Sequence, residues 1–164
     1  MLMKSSASLL IITMVALTSA MTPLSADEPN PKMNDKVEKP DAEWKQQLTP
    51  EQYRVLRKAG TERPFSSPLN NVHEHGIFKC AACDKELYDS DAKFESGTGW
   101  PSFYQPISKD AIETKEDKSF FSTRTEVRCE RCGGHLGHVF DDGPKPTGLR
   151  YCMNGVAMKF EKQP

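Results

Sequence analysis

Two Cys-x-x-Cys pairs, Cys80-Ala81-Ala82-Cys83 and Cys129-Glu130-Arg131-Cys132, constrain this chain more than any other feature. Four thiolates presented at that spacing suit a tetrahedral zinc ion. The second pair runs into Gly133-Gly134, where the backbone can adopt conformations closed to other residues and fold back on a metal. About 45 residues separate the pairs, more than a simple zinc ribbon uses, so a metal here would clamp two distant parts of one domain. The competing reading is two local disulfides. Zinc is favoured because a Cys-x-x-Cys disulfide closes a very short loop, stabilises little and is usually redox-active.

The fifth cysteine, Cys152, stands alone in Arg150-Tyr151-Cys152-Met153-Asn154. On a strand Arg150, Cys152 and Asn154 share one face, and Tyr151 and Met153 the other. A thiol between a cation and a carboxamide is where a low-pKa thiolate is built. The alternative is a small buried hydrophobe, since free cysteine is among the most buried residue types.

The chain of 164 residues has a formal net charge of −1, with no basic excess to suggest nucleic-acid binding. Residues 1–26 read as a secretory signal peptide: Lys4, then the apolar run Leu9–Leu17, then small residues offering cleavage after Ala20 or Ala26. The run is too short to span a bilayer comfortably, so a retained anchor is the lesser reading. The mature protein is thus expected to be exported, periplasmic or secreted, and off the membrane. Residues 27–43, with Pro29, Pro31 and Pro40 among alternating charges, read as a flexible linker. A single domain over 44–164 follows.

Within it, Thr49, Pro50 and Gln52 predict the start of a helix over about 49–59, with Leu48 and Tyr53 as a hydrophobic staple and Gly60 as the stop. Tyr53, Leu56 and Ala59 are expected to face the core. His73 and His75 lie in a polar loop where histidines are more often solvated than ligating. Gly97 and Gly99 mark a tight loop that holds Trp100 either as core or as the wall of an apolar pocket. Residues 121–129 alternate strictly and predict a half-buried antiparallel strand with its charged side chains turned away from the core. His135 and His138 follow; free of the metal and near a reactive thiol, a histidine is a candidate general acid. Gly155 is expected to break or bulge the pairing between 150–154 and 156–160.

Taken together, the two cysteine pairs, Gly99-Trp100-Pro101-Ser102-Phe103, His135-Leu136-Gly137-His138-Val139-Phe140 and Arg150-Tyr151-Cys152-Met153-Asn154 resemble the methionine-R-sulfoxide reductases, the B-type enzymes. The resemblance runs from about Leu48 to Phe160, essentially the whole expected domain. It implies a mainly β fold of two antiparallel sheets with short N-terminal helices, clamped by a structural zinc on Cys80, Cys83, Cys129 and Cys132. It implies Cys152 as nucleophile, His138 as proton donor with His135 beside it, Asn154 as a positioning group and Trp100 as the wall of the substrate methyl pocket, with Arg150 also at the substrate. The implied reaction is thiol-dependent reduction of free or protein-bound methionine R-sulfoxide through a Cys152 sulfenic acid. Many relatives carry a resolving cysteine where this chain has Thr98. An external thiol, such as that of a thioredoxin-like domain, is therefore expected to recycle Cys152 in a monomeric enzyme. The other class of reading is a non-catalytic, zinc-stapled binding module with Cys152 and Trp100 in its core.

Overall fold

The computed structural model describes residues 35–118 and 123–164. The expected signal peptide, the linker as far as residue 34, and Phe121 and Ser122 of the expected strand lie outside the described residues.

Helix α1 (Asp41–Gln47) begins inside the stretch read as linker. One side chain accounts for it. Trp44 is 1% exposed and lies beneath the Arg57 guanidinium, 4.9 Å from the ring centre. A helix of two turns is marginal alone, so burial of this indole holds it rather than propensity. Upstream, Val37 donates its N–H to the Arg131 carbonyl at 2.8 Å, and Asp35 pairs with Arg131 at 2.7 Å. The described part of the segment read as a flexible linker is thus fastened, from residue 35 on, to the second cysteine turn.

Helix α2 (Pro50–Lys58) starts as its sequence predicts. The Gln52 N–H donates to Thr49 Oγ1, and the Thr49 N–H donates to Gln52 Oε1, which closes the capping box. Its C-terminus differs from expectation. Ala59, not Gly60, takes the left-handed cap position with φ 51°, and Val55 and Leu56 form the buried face. Gly60 is needed for another reason: a Cβ there would come within 2.9 Å of the Arg54 carbonyl oxygen, the acceptor of its own N–H.

The strands make two antiparallel sheets, the architecture expected from the sequence. A three-stranded sheet has the order β2 (Glu86–Asp89), β1 (Gly76–Cys80), β9 (Met158–Lys162). A six-stranded sheet has the order β3 (Lys93–Phe94), β4 (Ser102–Phe103), β8 (Arg150–Met153), β7 (His135–Phe140), β6 (Arg124–Cys129), β5 (Ile112–Asp117). Gly155 breaks the pairing rather than bulging it, and strands β8 and β9 lie in different sheets. The chain turns through a 3-10 helix (Gly155–Ala157) from one sheet into the other. Gly155 sits so close to Ser67 that a Cβ would lie 1.9 Å from its Oγ, so this corner requires glycine for proximity.

Aromatic side chains fill the space between the sheets. Tyr88 stacks on Phe103 with ring centres 4.3 Å apart, and Phe78 meets Phe103 edge-on at 4.9 Å. Each such burial contributes about 1.5–3 kcal/mol. The fully buried Tyr88 hydroxyl finds its partner in Met153 Sδ at 3.2 Å. Tyr151 and Met153 of β8 thus face this core, which leaves Cys152 to the other face.

Candidate active site

Cross-strand register sets out the site. Residues directly opposite each other in an antiparallel sheet share a face, with Cβ atoms about 4.5–5.5 Å apart. Cys152 on β8 pairs with His138 on β7 and with Ser102 on β4, while His138 pairs in turn with Glu126 on β6. One row across four strands therefore reads Glu126, His138, Cys152, Ser102. His135 joins that face through an irregularity. Val127 pairs with Gly137 and Arg128 with His135, so Leu136 is an extra residue on β7. This bulge brings two histidines three residues apart onto one face, with ring centres 5.4 Å apart.

The alternating strand β6 is half-buried as expected, but its charged face is not turned to solvent. Arg124, Glu126 and Arg128 are partly buried, and Glu126 Oε1 lies 2.7 Å from His135 Nδ1. Asp117 Oδ2 lies 2.9 Å from His138 Nε2 and also accepts from Arg124 Nη2 at 2.8 Å. Each histidine is thus oriented by a carboxylate, the arrangement that fixes a ring's tautomer. Burial pushes the His135 pKa down against the opposing pull of Glu126. Its Nε2 is buried and has no protein partner among the described residues.

Thr61, Trp100, Arg124, Gly137, His138, Phe140, Cys152 and Asn154 line a cavity of about 200 Å³. Ligand pockets usually run to about 300–1,000 Å³, so this one admits the end of a side chain rather than a nucleotide. A larger groove of about 680 Å³ beside α2 has no cysteine or histidine in its wall. Gly137 forms part of the cavity because its backbone runs hard against β8; a Cβ there would sit 2.1 Å from the Cys152 carbonyl oxygen.

Glu62, unremarked in the sequence, ties the wall together. Its carbonyl accepts from Trp100 Nε1 at 3.2 Å, and its N–H donates to Asn154 Oδ1 at 2.9 Å. Asn154 Nδ2 in turn donates to the Leu136 carbonyl at 2.9 Å. The Glu62 carboxylate accepts from the N–H groups of Gly155 and Val156. Arg150 and His135 lie outside the cavity lining. Arg150 is held by a two-pronged pair with Asp142, both contacts 2.8 Å, and lies over the Phe140 ring.

At Cys152 burial and the flanking charge act in opposite directions. The flanking cation was expected to give a low-pKa thiolate. Burial instead pushes this thiol up, against the Thr98 hydroxyl, the Arg150 charge and the Ser102 hydroxyl, which pull it down.

The remaining four sulfurs gather elsewhere. Cys80 and Cys132 Sγ lie 3.7 Å apart and Cys83 and Cys129 Sγ 3.5 Å apart, and all four fall within 4.8 Å of one another. Disulfides would require about 2.05 Å. A tetrahedral metal with bonds of about 2.3 Å to sulfur has sulfur–sulfur edges of about 3.8 Å, so the set is compatible with a structural metal site. Hydrogen bonds within the cluster lower the pKa of Cys129 and raise those of Cys80 and Cys83, and a bound cation would favour the ionised form of all four. His73 and His75 remain exposed at the surface.

Residues 48–162 match the SelR domain. The chain is 61% identical over 127 residues to the peptide methionine sulfoxide reductase MsrB of Methanosarcina barkeri, covering 77% of this chain and 89% of that protein. It is 57% identical over 126 residues to the MsrB of Agrobacterium fabrum, covering 77% and 93%. Against the MsrB of Leptospira interrogans it is 53% identical over 131 residues, covering 80% of this chain and the whole of that protein. With a domain match over most of its length and relatives this close, the chain belongs to the SelR-domain family of MsrB peptide methionine sulfoxide reductases.

Proposed function

We propose that this protein reduces methionine R-sulfoxide, free or within proteins, to methionine, with Cys152 as oxygen acceptor. The observation that carries the reading is the cavity of about 200 Å³ in which Cys152, His138 and Trp100 meet. Such a space suits a methyl sulfoxide, whose sulfur is electrophilic, whose oxygen leaves poorly and whose methyl is apolar. The Cys152 sulfur attacks the sulfoxide sulfur while His138, backed by Asp117, delivers a proton to the departing oxygen. Trp100 holds the methyl, Asn154 keeps the wall in place, and Arg150 favours the ionised sulfur at its transient appearance.

The oxygen and two electrons are exchanged between sulfurs: the cysteine thiol and the sulfoxide become a sulfenic acid and a thioether. A first external thiol then condenses with the sulfenic acid, forming a mixed disulfide and water. A second thiol displaces Cys152 as free thiol and leaves as the reductant's disulfide. Thr98, whose hydroxyl lies 3.9 Å from Cys152 Sγ, cannot form a disulfide, and the other four cysteines are gathered on one another. That geometry supports recycling by an external thiol. In the same reading zinc occupies the four-cysteine cluster and takes no part in chemistry. The mature protein, without residues 1–26, then works as an exported monomer that repairs oxidised proteins, its electrons supplied by a thioredoxin-like thiol.

Turnover of resolved sulfoxide epimers with dithiothreitol tests the proposal. Wild type is expected to reduce the R epimer and Cys152→Ser neither, with fold and metal content kept. Undiminished reduction by the serine variant overturns the enzyme reading and leaves a metal-braced binding module.

A further inference from the structure

Three hydroxyl groups form a row that reaches Cys152 from the β4 flank of β8, while His138 stands on the β7 flank. Ser102 stands directly across from Cys152 in the register of β4 and β8 and is 1% exposed. Its Oγ lies 2.8 Å from Ser96 Oγ, which lies 2.8 Å from Thr98 Oγ1, which lies 3.9 Å from Cys152 Sγ. Gly97, with φ 72°, makes the turn that lets Ser96 and Thr98 meet in this way. Two backbone groups complete the chain. The Thr98 N–H donates to Ser96 Oγ at 3.4 Å, and the Trp100 carbonyl accepts from Ser102 Oγ at 3.2 Å.

Each hydroxyl has one proton to donate, so the row can be ordered in two concerted ways. With Cys152 protonated, the S–H donates to Thr98, Thr98 to Ser96, Ser96 to Ser102, and Ser102 to the Trp100 carbonyl. Every hydroxyl then donates once and accepts at least once. An ionised sulfur has no proton and can only accept. The row then reverses: Ser102 donates to Ser96, Ser96 to Thr98, and Thr98 to the sulfur.

We infer that Ser96, Thr98 and Ser102 form a reversible hydroxyl row that stabilises the ionised sulfur of Cys152, with Thr98 as a catalytic residue and the two serines as positioning residues. This rests on the reading of Cys152 as the reacting group and adds to it what holds the charge. No O–H bond breaks in the reversal; the three hydroxyls rotate, and the thiol proton leaves by the cavity to solvent or to the sulfoxide oxygen. Charge-assisted hydrogen bonds are stronger than neutral ones, and a donor that is itself hydrogen-bonded is polarised further. The Thr98 hydroxyl accordingly opposes the upward push of burial on the thiol. Among the described residues, the charged and titratable groups that face this sulfur are Arg150 with Asp142 on its own strand side, His138 with Asp117 from β7 and β5, and Arg124 from β6. All of them stay in place when a threonine hydroxyl is exchanged for a methyl.

The test is the pH dependence of iodoacetamide alkylation at Cys152, read by mass on the peptide that carries it, in the complete protein without sulfoxide. Thr98→Val keeps the branched shape and removes the donor. Its ionisation midpoint is expected to rise by about one pH unit, so that alkylation well below both midpoints slows about tenfold. Thr98→Ser should return to within about twofold of wild type, and Ser96→Ala should fall between. A Thr98→Val midpoint equal to wild type overturns the inference, as does a Thr98→Ser variant as slow as the valine, which would assign the effect to the lost methyl. Should Thr98→Val fail to fold, Ser96→Ala decides, and an unmoved midpoint there overturns the row. Alkylation does not depend on sulfoxide turnover. A wild type that reduces neither epimer therefore defeats the reductase reading, whereas an unmoved midpoint in an active enzyme defeats only the hydroxyl row.

Discussion

Replacing Glu62 by alanine strips one carboxylate from beneath the active-site wall. Its oxygens accept from the N–H groups of Gly155 at 2.6 Å and Val156 at 2.9 Å, at the corner where the chain leaves Asn154 for the other sheet. The backbone of residue 62, which holds Trp100 and Asn154, is unchanged by the substitution, but the corner it braces is not. Hydrogen bonds to a charged group contribute about 1.5–3 kcal/mol each, and an orphaned buried donor costs about 1–3 kcal/mol. Against this, burial raises the Glu62 pKa, so part of the gain is already offset by desolvation. The net destabilisation for two amides is about 2–4 kcal/mol.

The pH dependence has a definite sign. A carboxyl whose folded pKa is raised binds its proton more tightly in the folded state. Its contribution is fully present below the unfolded value of 4.5 and declines as pH rises through the folded value. The cost of Glu62→Ala should therefore be larger near pH 4 than near pH 7. Urea unfolding at both pH values, with an unchanged slope, measures it. A loss below about 0.5 kcal/mol, or a larger loss at neutral pH, refutes the reasoning.

Other expectations follow from the same geometry. Glu126→Gln removes the charge that opposes burial at His135, so the His135 titration midpoint, followed by its imidazole NMR signals, should fall further; a rise contradicts the pairing. Because that pKa is depressed in the folded state, the stability His135 contributes is present above about pH 6.5 and is lost as pH falls through the folded value. Gly137→Ala forces a Cβ to 2.1 Å from the Cys152 carbonyl, and should cost about 3 kcal/mol and most activity; an unchanged thermal midpoint contradicts the close approach. On the proposal that the four cysteines hold zinc, chelation under reducing conditions should lower the unfolding midpoint sharply, because the cluster joins β1 to the turn after β6; equal stability with and without zinc contradicts a structural role.

Local chemistry was legible in the sequence where a few adjacent residues decide the outcome. Thr49-Pro50-Glu51-Gln52 is a complete helix start, and the alternation about Cys152 separates it from the core-facing Tyr151 and Met153, although Arg150 on the same face lies outside the cavity lining. Long-range consequences were not legible. Helix α1 depends on a single tryptophan finding its place under Arg57, which no periodicity over seven residues announces. The charges of β6 read as a solvated face, yet Glu126 lies against His135 because β7 packs beside it. One signal was there: three charges at alternate positions, next to a segment with two histidines, are charges with local partners available. The bulge at Leu136 puts His135 and His138 on one face against simple alternation, and nothing in the residues themselves specifies it. The thiol's raised pKa likewise reflects burial, which the flanking arginine does not reveal.

The central claim is that oxygen passes from the substrate sulfur to Cys152. A single turnover of R-sulfoxide in the absence of any external thiol tests it most directly, with methionine counted and each cysteine peptide weighed after trapping with dimedone. One methionine per chain and one adduct, on the Cys152 peptide alone, is the result this account predicts. No burst of methionine, or a burst accompanied by a disulfide between Cys152 and one of the four clustered cysteines, would contradict it.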